Sequence, residues 1–147
     1  MKKIYLHCGE DIRNDCINID MRSEAGLSCN IQDSYELHFE EESCDEIIIN
    51  PGGLESISKQ DAALTIGSWK KCLKKSGSIW INFSDVRPLF NKVSYDRMPL
   101  DELESIIYKT KSLWDMESVK NLVQLLGLSV SSIHYTDFIG VIHATKD

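Results

Sequence analysis

Five places in this 147-residue chain end an apolar run on small or polar side chains: His7-Cys8-Gly9, Asp20, Asp33, Asn50 and Ser84-Asp85. The first two raise a specific question. A strand running into Cys8-Gly9, followed by a carboxylate that closes the next strand, could hold a nucleotide-type ligand. Gly9 would let a backbone come close where a side chain would collide, and a carboxylate would accept hydrogen bonds from a polar ligand. The same residues also suit two strands and a turn, with Asp20 and Asp33 as solvated acids or turn caps. Other chemistries are poorly supplied. His7 with Cys8, and His38 with Cys44, match no tight zinc spacing, and no Ser-His-Asp or Cys-His set is evident.

The elements that must position these residues follow from periodicity. "KIYLH" (3–7), "CINID" (16–20), "DEIIIN" (45–50) and "SIWINF" (78–83) read as strands, the third apolar on both faces like a covered parallel strand. "GLSCNIQD" (26–33) has room for another short one. Ser58, with Asp61 three residues on, forms a capping-box pattern for a helix with Ala62, Ile66, Trp69 and Leu73 on one face. Gly77 stands where a glycine would end that helix, and Lys70, Lys71, Lys74 and Lys75 fit its solvated face and C-terminal end. A shorter amphipathic helix follows Pro99. Asp115 can cap another, with Val119, Leu122, Val123 and Leu126 inward and Gly127 at its end. "LSVSSIHY" (128–135) and "FIGVIHATK" (138–146) close the chain as a hairpin through Thr136-Asp137.

Strands alternating with helices and ending in a hairpin predict one α/β domain over residues 1–147, its sheet mostly parallel with an antiparallel C-terminal edge. In such sheets ligands bind beyond the carboxyl ends of the strands, where the residues singled out above all fall. No apolar stretch approaches the roughly 20 residues of a membrane-spanning helix. The net charge of −7 argues against a nucleic-acid partner. Five scattered cysteines without a C-x-x-C pair point to reduced thiols and a cytoplasmic setting.

Taken in order, these segments resemble the class I S-adenosylmethionine-dependent methyltransferases. "IYLHCG" (4–9) falls on that family's L-N-L-G-C-G strand and "INID" (17–20) on its N-x-D strand end. "DSYELHFEEESCDEIIIN" (33–50) is similar to D-x-x-x-L-P-F-x-D-x-S-F-D-x-I. "SWKKCLKKSGSIWINFSD" (68–85) is similar to W-x-R-V-L-K-P-G-G-x-L-x-I-x-x-P-D. The resemblance implies a Rossmann-like fold, S-adenosylmethionine as cofactor and a small-molecule or protein methyl acceptor. It assigns the cofactor to His7, Cys8, Gly9, Asp20, Asp33, Ser34 and Asn50. Asp20 would accept from the ribose hydroxyls, Asp33 from the adenine amino group, and Asn50 would stand where donor meets acceptor. Should the acceptor need to lose a proton, Asp85 and His7 are the candidate bases.

Departures from the family pattern are concentrated at the site. His7 replaces the first glycine, His38 stands where proline is usual, and Ser56 where the family has histidine. About nine residues join the first two strands, fewer than the dozen or so of a helical crossover. "NPGG" (50–53) is similar to an amino-methyltransferase N-P-P-aromatic motif with glycines in its last two places, and equally to a plain turn. Two further readings therefore stay open. One is a degenerate methyltransferase-fold module that binds without chemistry. The other is a dinucleotide-binding domain, which lacks its G-x-G-x-x-G here.

Overall fold

The structure is a computed structural model and describes residues 1–23, 29–108 and 110–147. Seven strands form one sheet: β1 (Lys3–Leu6), β2 (Ile17–Asp20), β3 (Asn30–Ile31), β4 (Cys44–Ile49), β5 (Leu73–Ser84), β6 (Ser129–Thr136) and β7 (Ile139–Thr145). Their spatial order is β3-β2-β1-β4-β5-β7-β6, with β1 to β5 parallel and β7 antiparallel to both its neighbours. The order reverses between β1 and β4, which places a crevice beyond Leu6 and Ile49. The expected α/β sheet with its closing hairpin is what the chain forms. Of the tentative strand over residues 26–33, β3 is present and residues 26–28 lie outside the described residues.

Four helices accompany the sheet: α1 (Lys59–Cys72), α2 (Val86–Ser94), α3 (Leu100–Ile107) and α4 (Met116–Leu125). Both predicted caps form. Ser58 accepts from the Asp61 amide, and Asp115 makes a reciprocal box with Ser118. The end of α1 differs from expectation. The helix stops at Cys72 because Leu73 is drawn into the sheet opposite Cys44. Lys74 and Lys75 therefore leave the helix, and Lys74 pairs with Asp45 at 3.2 Å. Gly77 is no helix cap. It lies in β5, where an added Cβ would sit 2.9 Å from the Lys74 carbonyl.

Helices α1 and α4 bury themselves on the same side of the sheet. The laterally paired rows Ile4-Ile47-Ile79-Ala144 and Leu6-Ile49-Ile81-Ile142 join Ile66, Trp69, Val119 and Val123 in one core. The alternate row, Tyr5-Ile48-Trp80-His143, faces the other way. Among the described residues no helix covers it. Tyr5 is shielded by the Arg13 guanidinium, 4.1 Å above its ring, and Trp80 stacks on His143 at 4.0 Å. The missing cover follows from the short β1–β2 link. Its ten residues form turns, tied down by Tyr5 to Asp11 at 2.6 Å and by Asn18 to the Arg13 backbone.

Helix α2, which the periodicity did not reveal, starts from Asp85. This carboxylate is 1% exposed and accepts from the Arg87 amide, the Met116 amide and the Tyr135 hydroxyl at 2.9, 3.0 and 2.7 Å. One side chain thus caps α2, holds the start of α4 and anchors the hairpin. Above it α2 and α3 close a small core of Leu89, Met98 and Leu103, against which Phe138 of the hairpin turn packs. Removing the carboxylate leaves three donors short of a partner, each worth about 1–3 kcal/mol. Asp85→Ala should lower the unfolding free energy by about 3 kcal/mol or more, read as a reduced urea midpoint at constant slope. Tyr135→Phe should lose only about 1 kcal/mol.

Candidate functional site

The crevice is built from the ends of β1, β2 and β4. After Leu6 the chain turns through His7 at φ +61° and Gly9 at φ +55°. The left-handed φ costs His7 roughly 1–2 kcal/mol where a glycine would be nearly free. The turn brings the Gly9 amide 2.8 Å from Asp20 Oδ2 at the end of β2. Glycine turn and strand-end acid therefore meet at one hydrogen bond.

Asp20 is fully buried, and the rest of its hydrogen-bonding capacity is taken by the chain itself. Oδ1 accepts from the Arg22 amide at 2.8 Å and Arg22 Nε at 3.0 Å, and Oδ2 from the other guanidinium arm at 2.8 Å. The Tyr35 hydroxyl adds a long contact to Oδ1 at 3.5 Å. Burial alone would raise the Asp20 carboxyl, but the hydrogen bonds from Arg22 and Gly9 overcome it and hold it well below the carboxylate range. These are acceptor positions to which a nucleoside diol could donate, and the Arg22 side chain that now occupies them is 43% exposed.

His7 and Tyr35 fill the crevice beside this pair. Tyr35 is buried because its loop is pinned to α1: Trp69 Nε1 donates to the Tyr35 carbonyl at 2.8 Å and the Leu37 amide to Ser68 Oγ at 2.9 Å. The Tyr35 hydroxyl and His7 Nδ1 are 2.6 Å apart. Burial and the nearby Arg22 charge lower His7 to about 4, against the pull of Asp20, so the ring is neutral at pH 7. Its far side rests on the turn after β4. A Cβ on Gly52 would lie 2.9 Å from His7 Nε2, and one on Gly53 2.9 Å from His7 Cβ. The two glycines of "NPGG" thus make the space that the histidine takes. Asn50 fixes the same junction, its side chain donating to the His7 carbonyl at 3.1 Å. Cys8 is buried, its thiol pushed up to about 11 by burial and by Cys29. Asp33 and Ser34 are exposed on the rim of a small cavity of about 240 Å³ that Met21 and Tyr35 also line.

A larger cavity of about 560 Å³ runs from His7, Arg22 and Tyr35 to Tyr108 and Lys111. Beyond it a second of about 290 Å³ opens under α2 and α3. Pro51, Gly52, Glu55, Ile106 and Thr110 line both. Phe138 and Ile139 line the second, so the hairpin turn, besides closing the sheet edge, walls this cavity. Sequence reasoning missed Glu55, which lies in the short 3-10 turn Leu54–Ser56 and is 4% exposed. Oε2 accepts from the Gly52 amide at 2.6 Å, while Oε1 is buried without a hydrogen bond. Burial pushes its carboxyl up to about 7 despite the Gly52 and Ser84 amides. Its sequence signals are an acid inside the apolar run "LESI" (54–57) and its place just before Ser56, in the segment similar to the family's L-E-H.

The sequence matches no known family model and no curated protein. The fold does match. A Thermotoga maritima structure described as "SAM-dependent methyltransferase, possible histamine N-methyltransferase" superposes with a TM-score of 0.72 at 16% identity, covering 99% of this chain and 82% of that one. A Methanosarcina mazei SAM-dependent methyltransferase gives 0.71 at 13% identity, covering 99% and 92%. One from Mesorhizobium loti gives 0.71 at 12%, covering 99% and 90%. The chain has the class I methyltransferase fold. At these identities it is a divergent form of it.

Glu55 and His7 imprint opposite pH dependences on stability. Glu55 binds its proton more tightly folded than unfolded, so its contribution is full below about 4.5 and is lost as pH rises through about 7. His7 binds its proton less tightly folded, so stability is lost as pH falls from 6.5 towards about 4. Glu55→Gln should therefore gain on wild type by on the order of 2–3 kcal/mol between pH 5 and pH 8 in denaturant titrations. A constant difference across that range would refute the assignment.

Proposed function

We propose that the chain is an S-adenosylmethionine-dependent methyltransferase acting on a small-molecule or protein acceptor, with an internal latch on its cofactor site. The observation that carries this reading is the meeting of Gly9 and Asp20 at 2.8 Å on the carboxyl edge of a 3-2-1-4-5-7-6 sheet. Two adjoining cavities beside that edge support a donor and an acceptor of separate chemistry.

When bound, S-adenosylmethionine supplies a methyl group made electrophilic by its sulfonium. In this proposal the protein's part is placement and exclusion of water, which alone can lower such a barrier greatly. Asp20, released by Arg22, accepts the ribose hydroxyls. Gly9 allows close backbone approach, Met21 offers an apolar surface to the base, and Asp33 with Ser34 supplies polar contacts at the rim. Cys8 supports the turn from within, and Asn50 orients it through the His7 carbonyl. His7, neutral at pH 7, can accept a proton at the crevice. Asp85, committed to three donors, positions the cover over the acceptor cavity.

A second reading rests on a specific observation: Arg22, Tyr35 and His7 together meet the polar needs of the crevice without a ligand. On that reading the chain is a methyltransferase-fold binding module with no turnover. Titration calorimetry with S-adenosylmethionine and S-adenosylhomocysteine separates the two. The enzyme reading expects wild type to bind both, Arg22→Ala to bind several-fold more tightly, and Asp20→Asn to lose about tenfold or more, the loss expected of a hydrogen bond to a charged group. His7→Gly should also tighten binding by clearing the crevice. No binding by wild type, Arg22→Ala or His7→Gly would leave the module reading standing.

A further inference from the structure

The smaller cavity has an unusual balance of surfaces. Val86, Leu89, Ile106, Leu113 and Phe138 give it apolar walls, and among the described residues its one ionisable side chain is Glu55. The Glu55 carboxylate has one oxygen satisfied by Gly52 and one, Oε1, buried without a hydrogen bond, the nearby Ser84 amide making none to it. An acceptor oxygen left unpaired in such a place is costly, and a ligand supplying a donor would recover that cost. Carboxylate and phosphate ligands are opposed by the same group. A purely apolar ligand leaves Oε1 unpaired, and a sugar would bring more hydroxyls than the walls can satisfy.

We propose that this cavity binds a small primary or secondary amine with a hydrocarbon body, its nitrogen donating to Glu55 Oε1 and its body packed among Leu89, Ile106 and Phe138. The inference deepens the methyltransferase reading by naming the acceptor class, and rests on that reading for the amine's being methylated, a step in which the ammonium would first give a proton to Glu55 and the freed lone pair would take the methyl as its bond to the sulfonium sulfur breaks; the binding itself does not need it. Volume agrees, since about 290 Å³ is at the small end of ligand cavities, roughly 300–1,000 Å³. So does electrostatics: an ammonium beside a carboxylate gains far more where water is excluded than in solution. Pro51, Gly52 and Glu55 also line the larger cavity, so an amine held on Glu55 sits at the partition between the two.

The test uses the whole chain without cofactor. Benzylamine and cyclohexylamine are titrated by calorimetry and by amide chemical shifts, with benzyl alcohol and benzoate as the uncharged and anionic counterparts. At least one amine should bind tenfold or more tightly than benzyl alcohol, benzoate should not bind, and the shifts should centre on Leu89, Ile106 and Phe138. Glu55→Gln should weaken the amine at least tenfold. Leu113→Trp, which fills the mouth from a half-exposed position, should abolish binding while melting remains cooperative. Absence of binding by both amines at millimolar concentration, or equal affinity in Glu55→Gln and wild type, overturns the proposal. S-adenosylhomocysteine titrated into the same samples keeps the two readings apart. Amine failure with nucleoside binding ends this inference alone, and nucleoside failure with amine binding ends the methyltransferase reading alone.

Discussion

A fully buried carboxylate cannot stay charged in a protein interior without partners, and Asp20 is such a group at the edge of a ligand crevice. Much of the crevice follows from how that charge is met. Gly9 turns so that its amide reaches one oxygen. Arg22 folds back two residues along the chain and covers both. Tyr35, pinned by Trp69 and Ser68 of α1, brings its hydroxyl to the same place and hands it on to His7. In the proposed function a nucleoside diol would compete with the guanidinium for the same lone pairs, so that ligand entry would be an exchange of partners at a charge never left bare.

Histidine at position 7 and glycines at 52 and 53 belong to one packing solution. Each departs from the family pattern when taken singly. Together they conserve volume, because the imidazole occupies space that larger side chains after β4 would need. A substitution at either end without the other would leave a void or a collision, both costly in a close-packed interior. The strained φ at His7 is sustained by contacts at both ring nitrogens, with the Tyr35 hydroxyl at Nδ1 and the glycine turn beside Nε2.

The sheet was legible because β-branched runs such as "EIIIN" and "SIWINF" (46–50 and 78–83) leave little choice of partner face. Ser58 and Asp115 were legible as caps because capping is local chemistry. What escaped was set by tertiary competition. Leu73 has the spacing of a helical residue, yet pairing with Cys44 ends the helix there and turns Gly77 into a strand residue. Helix α2 depends on Asp85, whose other partners come from Met116 and Tyr135, far along the chain. At the site, Gly9 and Asp20 could be matched by position. Arg22, Tyr35 and Glu55 could not, since each acts through a contact or a burial that no local pattern encodes.

Unequal strand lengths divide the sheet into parts of unequal cohesion. The strands β4, β5 and β7 lie against α1 and α4 and are bound into the main core. At the other end β3 is two exposed residues long, and β2, four residues long, is joined to β1 by turns. Local opening free energies follow such differences in buried contact. The β2–β3 margin is thus the part expected to detach first, taking Asp20, Arg22 and the rim residues Asp33 and Ser34 with it, while the cavity under α2 and α3 lies against β5 and the hairpin turn. Opening at that margin would bear on the crevice at Asp20 and leave the walls that β5 and the hairpin give the second cavity in place.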